Sequence, residues 1–183
     1  MRAEATILNG CYVIQPDLKG DKRGWLARTF CKDEFAEIGH HKEWLQINHS
    51  YTAQKGSIRG MHFQYAPHAE IKLVRCIAGS VFDVAIDLRK GSPTFLKWFG
   101  TEISAANKKM MYLPEGFAHG FQVTSPDSEL IYHHTAAYAP ASEGAVRFDD
   151  PLIGIDWPLP AVGLSEKDVS HPLLNSDFKG IGL

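Results

Sequence analysis

The chain has 183 residues, of which 44% are hydrophobic and 22% charged, and its formal net charge is −2. That length suits one domain, spanning 1–183, with a sizeable core. The near-neutral balance argues against a bulk nucleic-acid surface, although a few arginines could still hold a phosphate.

Short β-like runs separated by turn residues follow one another along the chain. The first is "TILNGCYVIQP", then the turn "LKGDKRG" and the run "WLARTF". A short helix is predicted at "CKDEFAEIGHH", with Asp33 as its cap and Gly39 as its stop. Strands are then expected in "WLQINHSYT", "SIRGMHF", "IKLVRCIAG", "SVFDVAIDL", "FLKWFGTEI", "KMMYLPEGF", "AHGFQVTS" and "ELIYHHTAAY". "IAGS", "RKGSPT" and "SPDS" supply the turns between several of them. From about Asp149 a tail rich in Pro and Gly carries apolar anchors in "DDPLIGIDWPLP" and a short helix near "LSEKDVS". Many short strands in one domain predict a mainly β fold, an antiparallel β-barrel or jelly roll with short flanking helices.

Cys11, Cys31 and Cys76 are far apart and form no Cys-x-x-Cys pair. With no secretory segment at the N-terminus, they fit reduced thiols in the cytoplasm. The most apolar stretch, "LVRCIAGSVFDVAIDL", is broken by Arg75, Asp83 and Asp87 and is not expected to span a bilayer.

Two histidines stand out, His62 in "GSIRGMHFQ" and His119 in "LPEGFAHGFQV". The two segments resemble the paired motifs of the cupin superfamily. Metal-binding cupins have His-x-His and a glutamate in the first motif and a further histidine in the second. Here the second position of the His-x-His is Gln64, and Glu70 stands near the place of the glutamate. Three or four N, O or S ligands are the norm for zinc or iron, so this set is thin. General base is the natural alternative for His62, because a neutral imidazole can accept a proton at pH 7. Strict alternation sets a puzzle, since it puts Arg59 on the face opposite His62. Either the strand twists or bulges at Gly60, or Arg59 reaches around its end. The adjacent His133 and His134 read as exposed strand residues.

"SIRGMHFQ", "KLVRCIAGSVFDVAIDLRKGSPTF", "LPEGFAHGFQV", "LIYHHT", "RFDDPLIGIDWP" and "LSEKD" together resemble the dTDP-4-dehydrorhamnose 3,5-epimerase family, in one order and spacing from about Ile14 onward. The resemblance implies a cofactor-independent isomerase that inverts C3 and C5 of dTDP-4-keto-6-deoxyglucose, each next to the C4 ketone. A proton α to a carbonyl becomes removable when a base, an acid and a positive group at the carbonyl oxygen surround it. By resemblance His62 is the base, Asp168 its carboxylate partner, Lys72 the cation facing the enolate oxygen and Tyr132 the acid of the opposite face. The resemblance also assigns Arg23, Gln46, Asn48, Arg59, His119, Tyr138 and Glu143 to substrate binding. It implies a homodimer in which the Arg23 loop reaches a neighbouring subunit's site. No metal, nucleic-acid or membrane partner is implied.

The chain departs from the family pattern at Trp25 and Leu26, at His133 and His134, and at Phe148. These leave open a single-centre (C3) epimerase acting on a related nucleotide sugar. A metal-dependent cupin enzyme and a non-catalytic sugar-nucleotide binder are the other readings.

Overall fold

A computed structural model describes all residues, 1–183. The strands are β1 (Arg2–Ala5), β2 (Tyr12–Gln15), β3 (Leu18–Asp21), β4 (Gly24–Ala27), β5 (Gln46–Thr52), β6 (Ile58–Gln64) and β7 (Lys72–Ala78). They continue as β8 (Ser80–Asp87), β9 (Trp98–Ser104), β10 (Met110–Leu113), β11 (Phe117–Val123), β12 (Ser128–His134) and β13 (Glu143–Ala145). Two five-residue helices, α1 (Lys32–Ala36) and α2 (Glu166–Ser170), accompany them.

Two antiparallel sheets face each other, one of order β1-β2-β10-β7-β12-β5 and one of order β13-β6-β11-β8-β9. The chain crosses repeatedly between them, as in the expected jelly roll. β3 and β4 form a separate hairpin. No helix is long and apolar enough to cross a membrane.

The space between the sheets is filled by inward-facing residues such as Val74, Cys76, Val81, Ala85, Met111, Phe121 and Leu130. Each such side chain contributes about 1.5–3 kcal/mol when taken out of water. The outer face of the second sheet presents Met61, Phe63, Val84, Ile86 and Leu88, covered by Ile153, Trp157, Leu174, Phe178 and Ile181 of the tail. That second layer explains why β8 is apolar on both faces, and the apolar anchors of the tail supply part of it. On the outside of the first sheet, Phe35 of α1 seals Ile14, Leu73 and Met110.

The local signals of α1 need correcting. Its N-cap is Cys31, without a side-chain cap bond, and Asp33 lies inside the first turn. The helix ends at Ala36. Gly39, at φ +83°, closes the following turn by donating its N–H to Ala36 O. α2 is capped by Ser165, whose hydroxyl accepts from Asp168 N–H.

Candidate active site

Inward positions turn polar at one end of the barrel, and a cleft of about 390 Å³ opens there. His62 and His119 approach it from the second sheet, Lys72, Tyr132 and His134 from the first, and Arg59 and Asn48 also line it.

A bulge makes the convergence of Arg59 and His62 possible. His62 pairs with His119 and Arg59 with Phe121, so three steps along β6 match two along β11. The extra residue reverses the alternation, and both side chains reach the cleft. Gly60 takes φ +118° in this bulge. A Cβ there would lie 2.5 Å from Gly120 Cα and 2.7 Å from His119 O, so only glycine fits.

Asp168 is carried in by α2, 106 residues after His62, and its Oδ1 lies 2.7 Å from His62 Nε2. A carboxylate can only accept, so Nε2 carries the proton and Nδ1 keeps its lone pair. Burial disfavours the charge of Asp168, but the bonds from His62 and Ser165 prevail and hold its carboxyl below the usual range.

A second imidazole–carboxylate pair stands beside the first. His119 Nε2 is 2.8 Å from Oδ1 of Asp83, which is fully buried on β8. Asp83 was not singled out from the sequence. Its signal was the inward row Val81, Asp83, Ala85, Asp87, in which a carboxylate interrupts small apolar residues.

Tyr132 rises from the sheet opposite His62, and Ser50, also missed from sequence, bonds its hydroxyl at 3.0 Å. Burial pushes the phenol's pKa well above its ordinary value and keeps it protonated. Lys72 Nζ lies 3.4 Å from His62 O and 3.2 Å from Glu70 Oε1.

His134 is not the exposed residue expected. It shares parity with Tyr132, so it points into the cleft, and its Nδ1 lies 2.8 Å from Glu70 Oε2. His133, of the other parity, turns outward but is not exposed either, being half-buried against Trp44.

A polar rim leads away from the cleft. Gln46 donates to Asn48 Oδ1 at 3.1 Å and accepts from Tyr138 N–H at 3.0 Å. Glu143 receives the Tyr138 hydroxyl at 3.0 Å and Lys167 Nζ at 2.6 Å. A second hollow of about 440 Å³ shares Arg59 and His62 with the cleft and is bordered by Tyr51, Ser165 and Lys167. Arg23 stands apart from both. It is exposed on the β3–β4 hairpin and paired with Asp21.

The side chains do not assemble the ligand set of a metal-binding cupin. His62 and His119 each turn Nε2 to a carboxylate, and Glu70 bonds Lys72 and His134. Gln64 is engaged with the backbone of His68, Ala137 and Ala139. No group of three or more His, Cys, Asp or Glu side chains is arranged to hold a metal ion.

The family model described as dTDP-4-dehydrorhamnose 3,5-epimerase matches residues 5–176. The chain belongs to this family. It is therefore an isomerase of the epimerase type, with the cupin-like fold of its relatives. The dTDP-4-dehydrorhamnose 3,5-epimerase of Salmonella typhimurium is 44% identical over 172 residues, covering 93% of each chain. The crystal structure of the Legionella pneumophila 3,5-epimerase in complex with dTDP-4-keto-L-rhamnose superposes with a TM-score of 0.90 at 40% identity, over 96% of this chain and 94% of that one. A dTDP-4-dehydrorhamnose 3-epimerase of Streptomyces niveus is 38% identical, covering all of this chain and 88% of its own.

Proposed function

We propose that the protein converts dTDP-4-keto-6-deoxyglucose to dTDP-4-keto-rhamnose by inverting C3 and C5 through enolates. The observation that carries this reading is the His62–Asp168 pair, 2.7 Å apart, in a cleft shared with Lys72 and Tyr132. His62 removes the α proton through Nδ1, and Asp168 stabilises the imidazolium that forms. The Lys72 ammonium meets the charge that develops on the C4 oxygen. Tyr132, on the opposing sheet and protonated, returns a proton from the other face. Removal on one face and return on the other is inversion. His62 then loses its proton to solvent, the Tyr132 phenolate takes one up from solvent, and the cycle repeats at the second carbon.

Arg59 holds a phosphate oxygen, and Gln46, Asn48, His119, Tyr138 and Glu143 line the path of the sugar nucleotide. Arg23 lies outside this chain's own cleft, on a hairpin that a homodimer would lend to its partner. The three free cysteines suit a reducing cytoplasm.

The test is incubation with dTDP-4-keto-6-deoxyglucose in D₂O, followed by mass and proton NMR. Deuterium at both C3 and C5 is expected. Deuterium at C3 alone would make the protein a 3-epimerase, the activity named for the Streptomyces niveus relative. No deuterium, with dTDP still bound, would refute the reading.

A further inference from the structure

Three ionisable side chains meet at the wall of the cleft in an arrangement that proton transfer by His62 and Tyr132 does not itself require. Glu70 reaches Lys72 Nζ through Oε1 at 3.2 Å and His134 Nδ1 through Oε2 at 2.8 Å. The side chains of Glu70, Lys72 and His134 are 9%, 10% and 10% exposed. Taking three such groups out of water is costly, and apolar residues would fill the space at lower cost. Nor does Glu70 have to anchor its loop. Ile71 N–H donates to Thr135 Oγ1 at 2.9 Å and Thr135 N–H to Ile71 O at 3.2 Å, which closes the loop onto the end of β12 unaided.

The hydrogen-bond chemistry assigns each atom a direction. The Glu70 carboxylate only accepts, so neutral His134 carries its proton on Nδ1. Its Nε2 then faces Asn48 Nδ2, 3.5 Å away. One carboxylate oxygen is thus held by a ring fixed on a strand, and the other is left to hold the ammonium. Lysine has a long flexible stem, while stabilisation of a developing oxyanion requires a charge already in place. The charged and titratable groups around His134 are Glu70, Lys72, the Tyr132 ring 6.2 Å away at 26° and the adjoining His133. Arg59, His62 and His119 line the same cleft.

We propose that Glu70 and His134 are a positioning pair for Lys72, with His134 orienting the carboxylate that pins the ammonium at the His62 end of the cleft. The proposal rests on the epimerase reading and deepens it. Neither residue has a proton-transfer part in that reading. Burial works against the charge of Glu70, but its bonds to His134 and Lys72 hold the carboxyl below its ordinary range, as a permanent counterion should be.

The pair is tested with His134→Leu and His134→Asn, the latter placing an amide N–H near the position of Nδ1–H. For His134→Leu, kcat for solvent exchange should fall roughly 10–100-fold, while KM and dTDP affinity stay within about threefold. His134→Asn should recover most of that loss. Nitrogen-15 NMR supplies a readout independent of turnover. His134 should show the neutral Nδ1–H tautomer. The Lys72 ammonium signal should persist in the native protein and in His134→Asn but broaden away in His134→Leu. Native kcat in His134→Leu, or His134→Asn as slow as His134→Leu, would overturn the proposal. Should the native protein exchange no sugar protons, the epimerase reading fails, and the Lys72 signal still decides the positioning.

Discussion

Replacing Asp168 by Asn removes one charge from the site and little else, because the two side chains have nearly the same shape. The His62–Asp168 contact is 2.7 Å long, and the Asp168 side chain is only 6% exposed. At an effective dielectric constant of about 20, unit charges about 4 Å apart attract by about 4 kcal/mol. The imidazolium formed on proton abstraction loses that support in the variant, and the transition state loses most of it. At 1.4 kcal/mol per tenfold this corresponds to roughly 10²–10³ in rate. The amide adds a second penalty. If its NH₂ turns to Nε2, the ring carries its proton on Nδ1, and the nitrogen that should act as base no longer has a lone pair. Together the two effects predict a fall in kcat of about 10²–10⁴-fold with dTDP affinity nearly unchanged. Deuterium incorporation from D₂O under saturating substrate, paired with dTDP titration by calorimetry, measures both. Exchange within fivefold of the native rate, with the nucleotide still bound, would mean that Asp168 is a structural partner of His62 and that the base acts without it.

Gly60→Ala should lower stability by about 3 kcal/mol or more, since the new Cβ meets backbone atoms on β11 at φ +118°. A melting temperature within two degrees of native would refute the close approach drawn for Gly60 and Gly120. Acid should destabilise the fold in a defined direction. Glu70, Asp87 and Asp168 are each desolvated, yet their hydrogen bonds to cationic or hydroxyl groups hold their carboxyls below the ordinary range. The folded state therefore binds fewer protons than the unfolded chain as pH falls through about 4. The stability these groups contribute is complete above that pH and is lost as pH drops through the lower folded values. Melting temperatures between pH 7 and pH 2.5 should show this decline, and Asp87→Asn should flatten it; a flat native profile would refute the assignment.

Most of the barrel could be read from the chain because its strands carry strong apolar alternation and end in Gly, Pro, Asn, Asp or Ser. The missed elements lack those signals. β1 is exposed along its whole length, β3 hides in what reads as a turn, and β13 is three residues long. Six of the site residues named from sequence, Asn48, Arg59, His62, Lys72, His119 and Tyr132, line one cleft, with Asp168 bonded to His62 at its edge. Their convergence was legible only through resemblance, since nothing local links His62 to a residue 106 positions away. The placement of His134 was within reach of simple parity with Tyr132. Asp83 and Ser50 escaped because each becomes informative only when its partner on another strand is known.

The late arrival of Asp168 has a consequence for biosynthesis. His62 lies in the first half of the chain, while its carboxylate partner sits on a tail segment that must fold back over the finished second sheet. A nascent chain could close its barrel on the ribosome, bury Val74, Ala85 and Phe121, and still hold an imidazole without an oriented tautomer. Such a species would leave Met61, Phe63, Val84, Ile86 and Leu88 uncovered and would be a slow catalyst at best. Catalytic competence then becomes a report on docking of the tail, separable in time from collapse of the barrel.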